Sequence, residues 1–220
     1  PLANIAYYAF ANPMFKNSIT IPGSVTTIGA NIIDTYNWLE EDDDYYVKNF
    51  IFQDNSTLVD VDEDIWEGQC VETLSLSDLN AWLNLGIEFP DYDGDHYLNI
   101  NNEQSSMLIL PDGLKTFNTD LYKYDNITSI VIPSSIECSL GDIFNYVDSI
   151  YYNGTLEQWF ALNNQQRNYF SFTGDGAKLY INNELLTNVT LPNMETINSA
   201  LAGYSSIVSI EIPDGVETIG

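Results

Sequence analysis

One pattern keeps returning along the chain: an apolar–x–apolar run closed by a proline, a short turn, and a second apolar pair. It reads NSITIPGSVTTIG near the start, MLILPDGLKTF and TSIVIPSSIE in the middle, and VTLPNMETIN and VSIEIPDGVETIG toward the end. Pro111 and Pro133 are 22 residues apart, and Pro192 and Pro213 are 21 apart. A fixed period of this length is the mark of a repeat architecture. Period-2 alternation predicts strands with one buried face. Proline lacks a ladder N–H, so it ends each strand, and the turn-formers Gly23-Ser24, Asp112-Gly113, Ser134-Ser135 and Asp214-Gly215 carry the chain round. Two apolar residues three apart follow each turn: Val25 and Ile28, Leu114 and Phe117, Val216 and Ile219.

Copies without the proline fill the gaps, at 49–61 (NFIFQDNSTLVDV), 73–79 (TLSLSDL) and 149–156 (SIYYNGTL), which gives about eight strands. One such rung cannot bury its own apolar face. The rungs must therefore stack, and parallel crossovers of this kind are right-handed, so the expectation is a right-handed, β-rich solenoid with one parallel concave sheet. A longer repetition lies over the short one, near 73–119 and 149–199. In it Trp82 matches Trp159, and the tetrapeptide Ile100–Glu103 recurs unchanged as Ile181–Glu184. Each copy predicts a short helix, near Leu79–Leu83 behind a Ser77 or Asp78 cap and near Leu156–Leu162 behind Thr155. Asn101-Asn102 and Asn182-Asn183 then read as hairpin turns.

The unit, with an Ala-Phe pair and a cysteine further round, resembles the BspA-like leucine-rich repeats of bacterial and some protist surface proteins. Ala9-Phe10, Ile65-Trp66, Ile143-Phe144 and Ala200-Leu201 stand at the Ala-Phe position, Cys70 at the cysteine, and Tyr204 in its place in the last rung. The resemblance spans essentially all of residues 1–220. It implies a single leucine-rich-repeat solenoid, and because LANIAYYAF at the start and VETIG at the end each read as half of the unit, an excised part of a longer array that starts and ends within a repeat is expected. It also implies a bacterial cell-surface or secreted protein whose signal and anchor segments lie outside these residues.

Thirty-two acids against six bases give a net charge of −26, which argues against nucleic acid or anionic lipid as partner. No apolar run approaches the roughly 20 residues that span a bilayer, so no direct membrane insertion is expected. Hydrophobic residues make up 45% of the chain, enough for a core despite the charge. Cys70 and Cys138 fall two rungs apart in this scheme, about 10 Å, beyond the roughly 7 Å Cα limit for a bridge, and are expected to be free thiols.

Acidic chemistry is densest in DYDGDHY, where Asp91, Asp93 and Asp95 alternate around Gly94 as carboxylates that could converge on Ca2+. The spacing departs from an EF-hand, and the matching stretch FTGDGAK has lost most of its acids, so a solvated loop is the competing reading. EEDDDYY and VDVDEDIW read the same way, as loop acids. His96, the only histidine, has no identifiable partner for nucleophilic catalysis, and Trp66, Trp82 and Trp159 stand where the repeat wants core. Four N-x-S/T sequons begin at Asn55, Asn126, Asn153 and Asn188, and repetition of a structural consensus accounts for them.

In each strand the residue between two inward positions faces out. Along the rungs this gives Thr20, Ile51, Ser75, Ile109, Val131, Tyr151, Thr190 and Glu211, flanked by Met107, Ser129 and Ser149. Ile109, Val131 and Tyr151, on consecutive rungs, would form an apolar stripe with Met107, and Ile51 is a further outward apolar residue. The reading is a non-catalytic adhesion or protein–protein interaction module that binds a protein or host extracellular-matrix macromolecule there, without cofactor. The rivals are a structural spacer and a carboxylate-based hydrolase.

Overall fold

The computed structural model describes residues 1–10, 17–32, 46–66, 70–87, 89–90, 95–116, 124–137, 147–164, 176–197, 201 and 203–219. They fall into two compact units, Pro1–Ser105 with Asn118–Asn126, and Ser106–Phe117 with Ile127–Gly220.

The first unit contains β1 (Asn4–Ile5), β2 (Ser18–Ile21), β3 (Thr27–Ile28), β4 (Tyr46–Phe52), β5 (Asp60–Val61), β6 (Cys70–Leu76), α1 (Leu79–Leu85), β7 (Tyr97–Ile100) and β8 (Glu103–Gln104). Its main sheet runs β2-β4-β6-β7-β8, parallel except for the last pair. Ile19, Phe50, Leu74 and Leu98 stand in register across the four parallel strands, and all are buried. The apolar pair after the proline has its own role. Val25 and Ile28 are buried, and β3 joins β1 and β5 in a second, three-stranded parallel sheet. Behind the main sheet Phe50 meets Trp66 edge-on at 5.1 Å, and Phe52 meets Trp82 at 5.2 Å.

The second unit contains β9 (Met107–Ile109), β10 (Ser129–Pro133), β11 (Ser149–Asn153), α2 (Leu156–Asn164), β12 (Lys178–Ile181), β13 (Glu184–Leu185), β14 (Asn188–Thr190), β15 (Thr196–Ile197), β16 (Ser209–Glu211) and β17 (Thr218–Ile219). Its main sheet is β9-β10-β11-β12-β13, again parallel but for the final hairpin. Leu108, Ile130, Ile150 and Leu179 form the buried row. The pairs β14-β16 and β15-β17 are short parallel sheets. The order strand, helix, hairpin is thus the same at β6-α1-β7-β8 and β11-α2-β12-β13. Parallel rungs with few helices are the build of a repeat solenoid.

Both helix starts have local causes. Asp78 Oδ1 accepts from Ala81 N–H at 2.9 Å, and at α2 Thr155 and Gln158 form a reciprocal capping box, with bonds of 3.2 and 2.8 Å. Asn101, Asn102, Asn182 and Asn183 all have positive φ, between 49° and 65°, the backbone that a two-residue hairpin requires.

Three expectations need correcting. The eight expected strands are all present, as β2, β4, β6, β9, β10, β11, β14 and β16, but among the described residues they do not form one ladder of eight. The hairpin strands β7 and β12 are themselves rungs, because Leu98 and Leu179 continue the buried rows, and each ladder ends on the antiparallel strand that follows. Ser75, expected to face solvent, is buried, its Oγ accepting from Asn99 Nδ2 at 3.1 Å. Ile210 and Ile212 have the expected core phase, since Ile210 pairs with buried Val189, yet they are 50% and 52% exposed because β16 is an edge. Phe117, Cys138, Ile143, Phe144 and Ala200, and the side chain of Cys70, lie outside the described residues, so the thiol expectation is not reached.

Asn55 joins neighbouring rungs. Its Oδ1 accepts from the N–H groups of Ser77 (2.9 Å) and Asp78 (2.7 Å) and from Ser77 Oγ (2.9 Å), while Nδ2 donates to Asp78 C=O at 2.6 Å. This fixes the residue that caps α1. Removing it leaves several buried polar groups without partners, at about 1–3 kcal/mol for each group stranded. Asn55→Ala is expected to destabilise the protein by at least about 2 kcal/mol in chemical denaturation, against under about 0.5 kcal/mol for exposed Asn80→Ala.

Candidate functional site: an apolar row across the second sheet

Parallel, in-register pairing lines up the residues that alternate with the buried row. In the second unit, Ile109 pairs with Val131, Val131 with Tyr151, Tyr151 with Tyr180, and Tyr180 with Leu185. The result is one apolar row across all five strands. At about 4.8 Å per strand it is about 19 Å long. Ile109 is 59% exposed, Leu185 41%, and Val131, Tyr151 and Tyr180 are half-buried.

The tyrosines set its surface chemistry. Tyr151 and Tyr180 stack with centroids 4.4 Å apart and planes 15° apart. Because the two strands are neighbours, the rings stand side by side along the row, cover one face of each other, and present their edges outward. Directly beneath, Tyr152 points the other way and is fully buried, and burial pushes its phenol pKa up. Its ring fills the space where a Cβ at Gly154 would sit, 2.5 Å from the nearest ring carbon. Glycine is therefore required at 154. Alongside the row, two residues earlier in each of the four parallel strands, run Met107, Ser129, Ser149 and Lys178. Met107 is 37% exposed, and Lys178 is the one base in the five strands.

Ile51 stands elsewhere. It occupies the equivalent row of the first unit, Thr20, Ile51, Ser75, Asn99 and Gln104, where its neighbours are polar. Tyr180 and Leu185 were missed from sequence because Ile181–Glu184 reads as a turn between rungs. The alternation in Lys178–Ile181, with Leu179 and Ile181 flanking Tyr180, is the signal that places Tyr180 outward.

The remaining candidates resolve differently. Asp91 and Asp93 lie outside the described residues, Asp95 is exposed, and no group of three or more possible metal-binding side chains occurs among the described residues. Glu40–Asp44 also lie outside them, whereas Asp60, Asp62, Glu63 and Asp64 are exposed. His96 is buried, its ring 5.0 Å from Tyr124 and its Nδ1 3.7 Å from Asp125 Oδ2, which also accepts from His96 N–H at 2.7 Å. Trp82 and Trp159 are fully buried and Trp66 nearly so, so none offers a surface platform. Asn126 closes a hairpin as Asn55 ties rungs, with Nδ2 donating to Leu98 and Ser105 carbonyls at 2.8 and 2.7 Å. Asn188 and Asn153 are exposed, Asn153 as the last residue of β11.

Six copies of the family described as BspA type Leucine rich repeat region match residues 1–62 and 169–220, just over half of the chain. The chain belongs to that family. Neither a curated protein nor a solved structure matches it. The polar row of the first unit and the apolar row of the second are two outcomes on the same scaffold position.

Strand phase makes a direct forecast. Tyr151→Ala loses the stack on Tyr180 and should cost about 0.5–1.5 kcal/mol of folding stability. Ile130→Ala, one residue from Val131 but inward, should cost about 2–5 kcal/mol through the cavity it leaves. Urea midpoints of the two variants decide it; equal losses would mean that the assigned phase is wrong.

Proposed function

We propose that this chain is a non-catalytic interaction module of a cell-surface or secreted protein, and that it binds a protein partner on the row Ile109, Val131, Tyr151, Tyr180 and Leu185. The observation that carries the reading is the contrast between the two rows. β-propensity alone would favour apolar residues in both, yet in the first unit Ile51 is the one apolar residue among the five equivalent positions, the others being Thr20, Ser75, Asn99 and Gln104. A spacer has no use for a continuous apolar row facing solvent, and contiguous exposed apolar surface marks interaction sites. Tyrosine is also enriched among residues that dominate binding energy.

Further parts of the proposal are a right-handed course of the rungs and a single array through residues 1–220. Matching strand, helix and hairpin order in the two units supports the latter. A host extracellular-matrix protein is the partner class that a surface location favours, and the net charge of −26 works against acidic partners. Met107 borders the row and would widen the contact.

The test compares the wild-type chain with a Tyr151→Ser, Tyr180→Ser double variant for retention on immobilised matrix proteins. Both changes keep net charge. The proposal expects affinity for a bound matrix protein to fall at least about tenfold, the scale of one lost hot spot. Unchanged affinity in a variant that retains its fold would support the spacer instead.

A further inference from the structure

Resting on the reading that the row is a protein-binding surface, we infer that its occupant is a basic amphipathic α-helix laid across the strands. Spacing, ring orientation and charge carry the inference.

The row offers one outward side chain per strand, about every 4.8 Å. A helix whose apolar residues recur at alternating steps of three and four places them on average about 5.3 Å apart along its axis. An extended segment lying along the row presents one face about every 6.8 Å. Over the four intervals from Ile109 to Leu185 the helix drifts out of step by about 2 Å, less than a methyl-to-methyl contact, and the extended segment by about 8 Å, more than a full strand. About 13 helical residues cover the 19 Å. The strip of Met107, Ser129, Ser149 and Lys178, about 7 Å to one side, borders a helix centred on the row, whose radius with side chains is about 5–6 Å.

Ring orientation disfavours a carbohydrate chain. Sugar stacking needs an aromatic face turned to solvent, and the 15° stack of Tyr151 on Tyr180 turns the rings edge-out. Ring edges with aliphatic neighbours Ile109, Val131 and Leu185 make a ridged surface, which fits between the side-chain ridges of a helix.

The acid excess of the unit as a whole favours a basic partner. Among the described residues of the second unit, nine exposed carboxylates face two exposed lysines. None of these carboxylates stands in phase with the row, where the charged neighbour is Lys178, so the attraction comes from the acids around the sheet and not from the row itself. An acidic helix would meet repulsion on approach, and a helix with lysines flanking its apolar stripe would be steered in.

Three synthetic probes of about 15 residues test this. The first carries Leu at i, i+3, i+7, i+10 and i+14 with Lys and Ala elsewhere; the second has the same composition with Leu at alternate positions; the third is the first with Glu for Lys. Affinities are measured for the wild-type chain and for the Tyr151→Ser, Tyr180→Ser variant at physiological salt. The basic helical probe should bind wild type at least about tenfold tighter than either other probe and lose at least about tenfold on the variant. Equal binding of the alternating probe overturns the helix, and equal binding of the acidic probe overturns the charge assignment. Binding of the basic probe that ignores the row variant shows attraction to net charge alone and overturns the inference. If matrix-protein binding still depends on the row, only the helical occupant falls; if that too ignores the row, the proposed binding surface falls with it.

Discussion

A single rung of this chain has apolar residues on one side and nothing of its own to cover them, so everything rests on parallel, in-register pairing between rungs. The rows Ile19, Phe50, Leu74, Leu98 and Leu108, Ile130, Ile150, Leu179 are the physical result. Burying each such side chain contributes on the order of 1.5–3 kcal/mol. A slip of one residue would exchange that row for its outward neighbours. Register is thus strongly specified by burial. The edge at β16 shows the same rule from the other side, since Ile210 is in phase with the core but exposed where, among the described residues, no further strand pairs.

Polar groups are handled by the same periodicity. Asn55 reaches from one rung to the backbone of Ser77 and Asp78, and Asp78 in turn caps α1, so a side-chain bridge between rungs sets where the helix begins. Asn126 binds both strands' ends of the β7–β8 hairpin. Both asparagines begin N-x-S/T triplets. Their Nδ2 atoms donate to backbone carbonyls, so the triplets there are explained by structure.

Strand positions, helix positions and hairpin turns could be read from the sequence because each has a local cause: alternation around Ile130 and Ile150, the caps at Asp78 and Thr155, and the Asn-Asn pairs with positive φ. Pairing was less legible. Lys178–Ile181 alternates as clearly as any rung, but the Asn-Asn turn after it suggested a connector, and whether a strand joins its neighbour or merely leads past it is decided by contacts far away in sequence. The two-residue strands of the second ladder, such as Thr27–Ile28, are too short for periodicity to reveal. The candidate row was partly visible: Ile109, Val131 and Tyr151 followed from alternation, Tyr180 has the same local signal but sits before a turn that suggested a connector, and Leu185 required the ladder. Nothing local signals that Ser75 is buried by Asn99 on the next strand.

Separation of a core row from an outward row in β9–β13 is the claim on which the proposed surface stands, and side-chain NOEs test it most directly. The account predicts a chain of contacts from the Val131 methyls to the Tyr151 ring and on to the Tyr180 ring, and a separate chain joining Ile130, Ile150 and Leu179 methyls. Contacts from Val131 methyls into the Ile150 and Leu179 set would contradict it, because they would place the apolar row inside the fold.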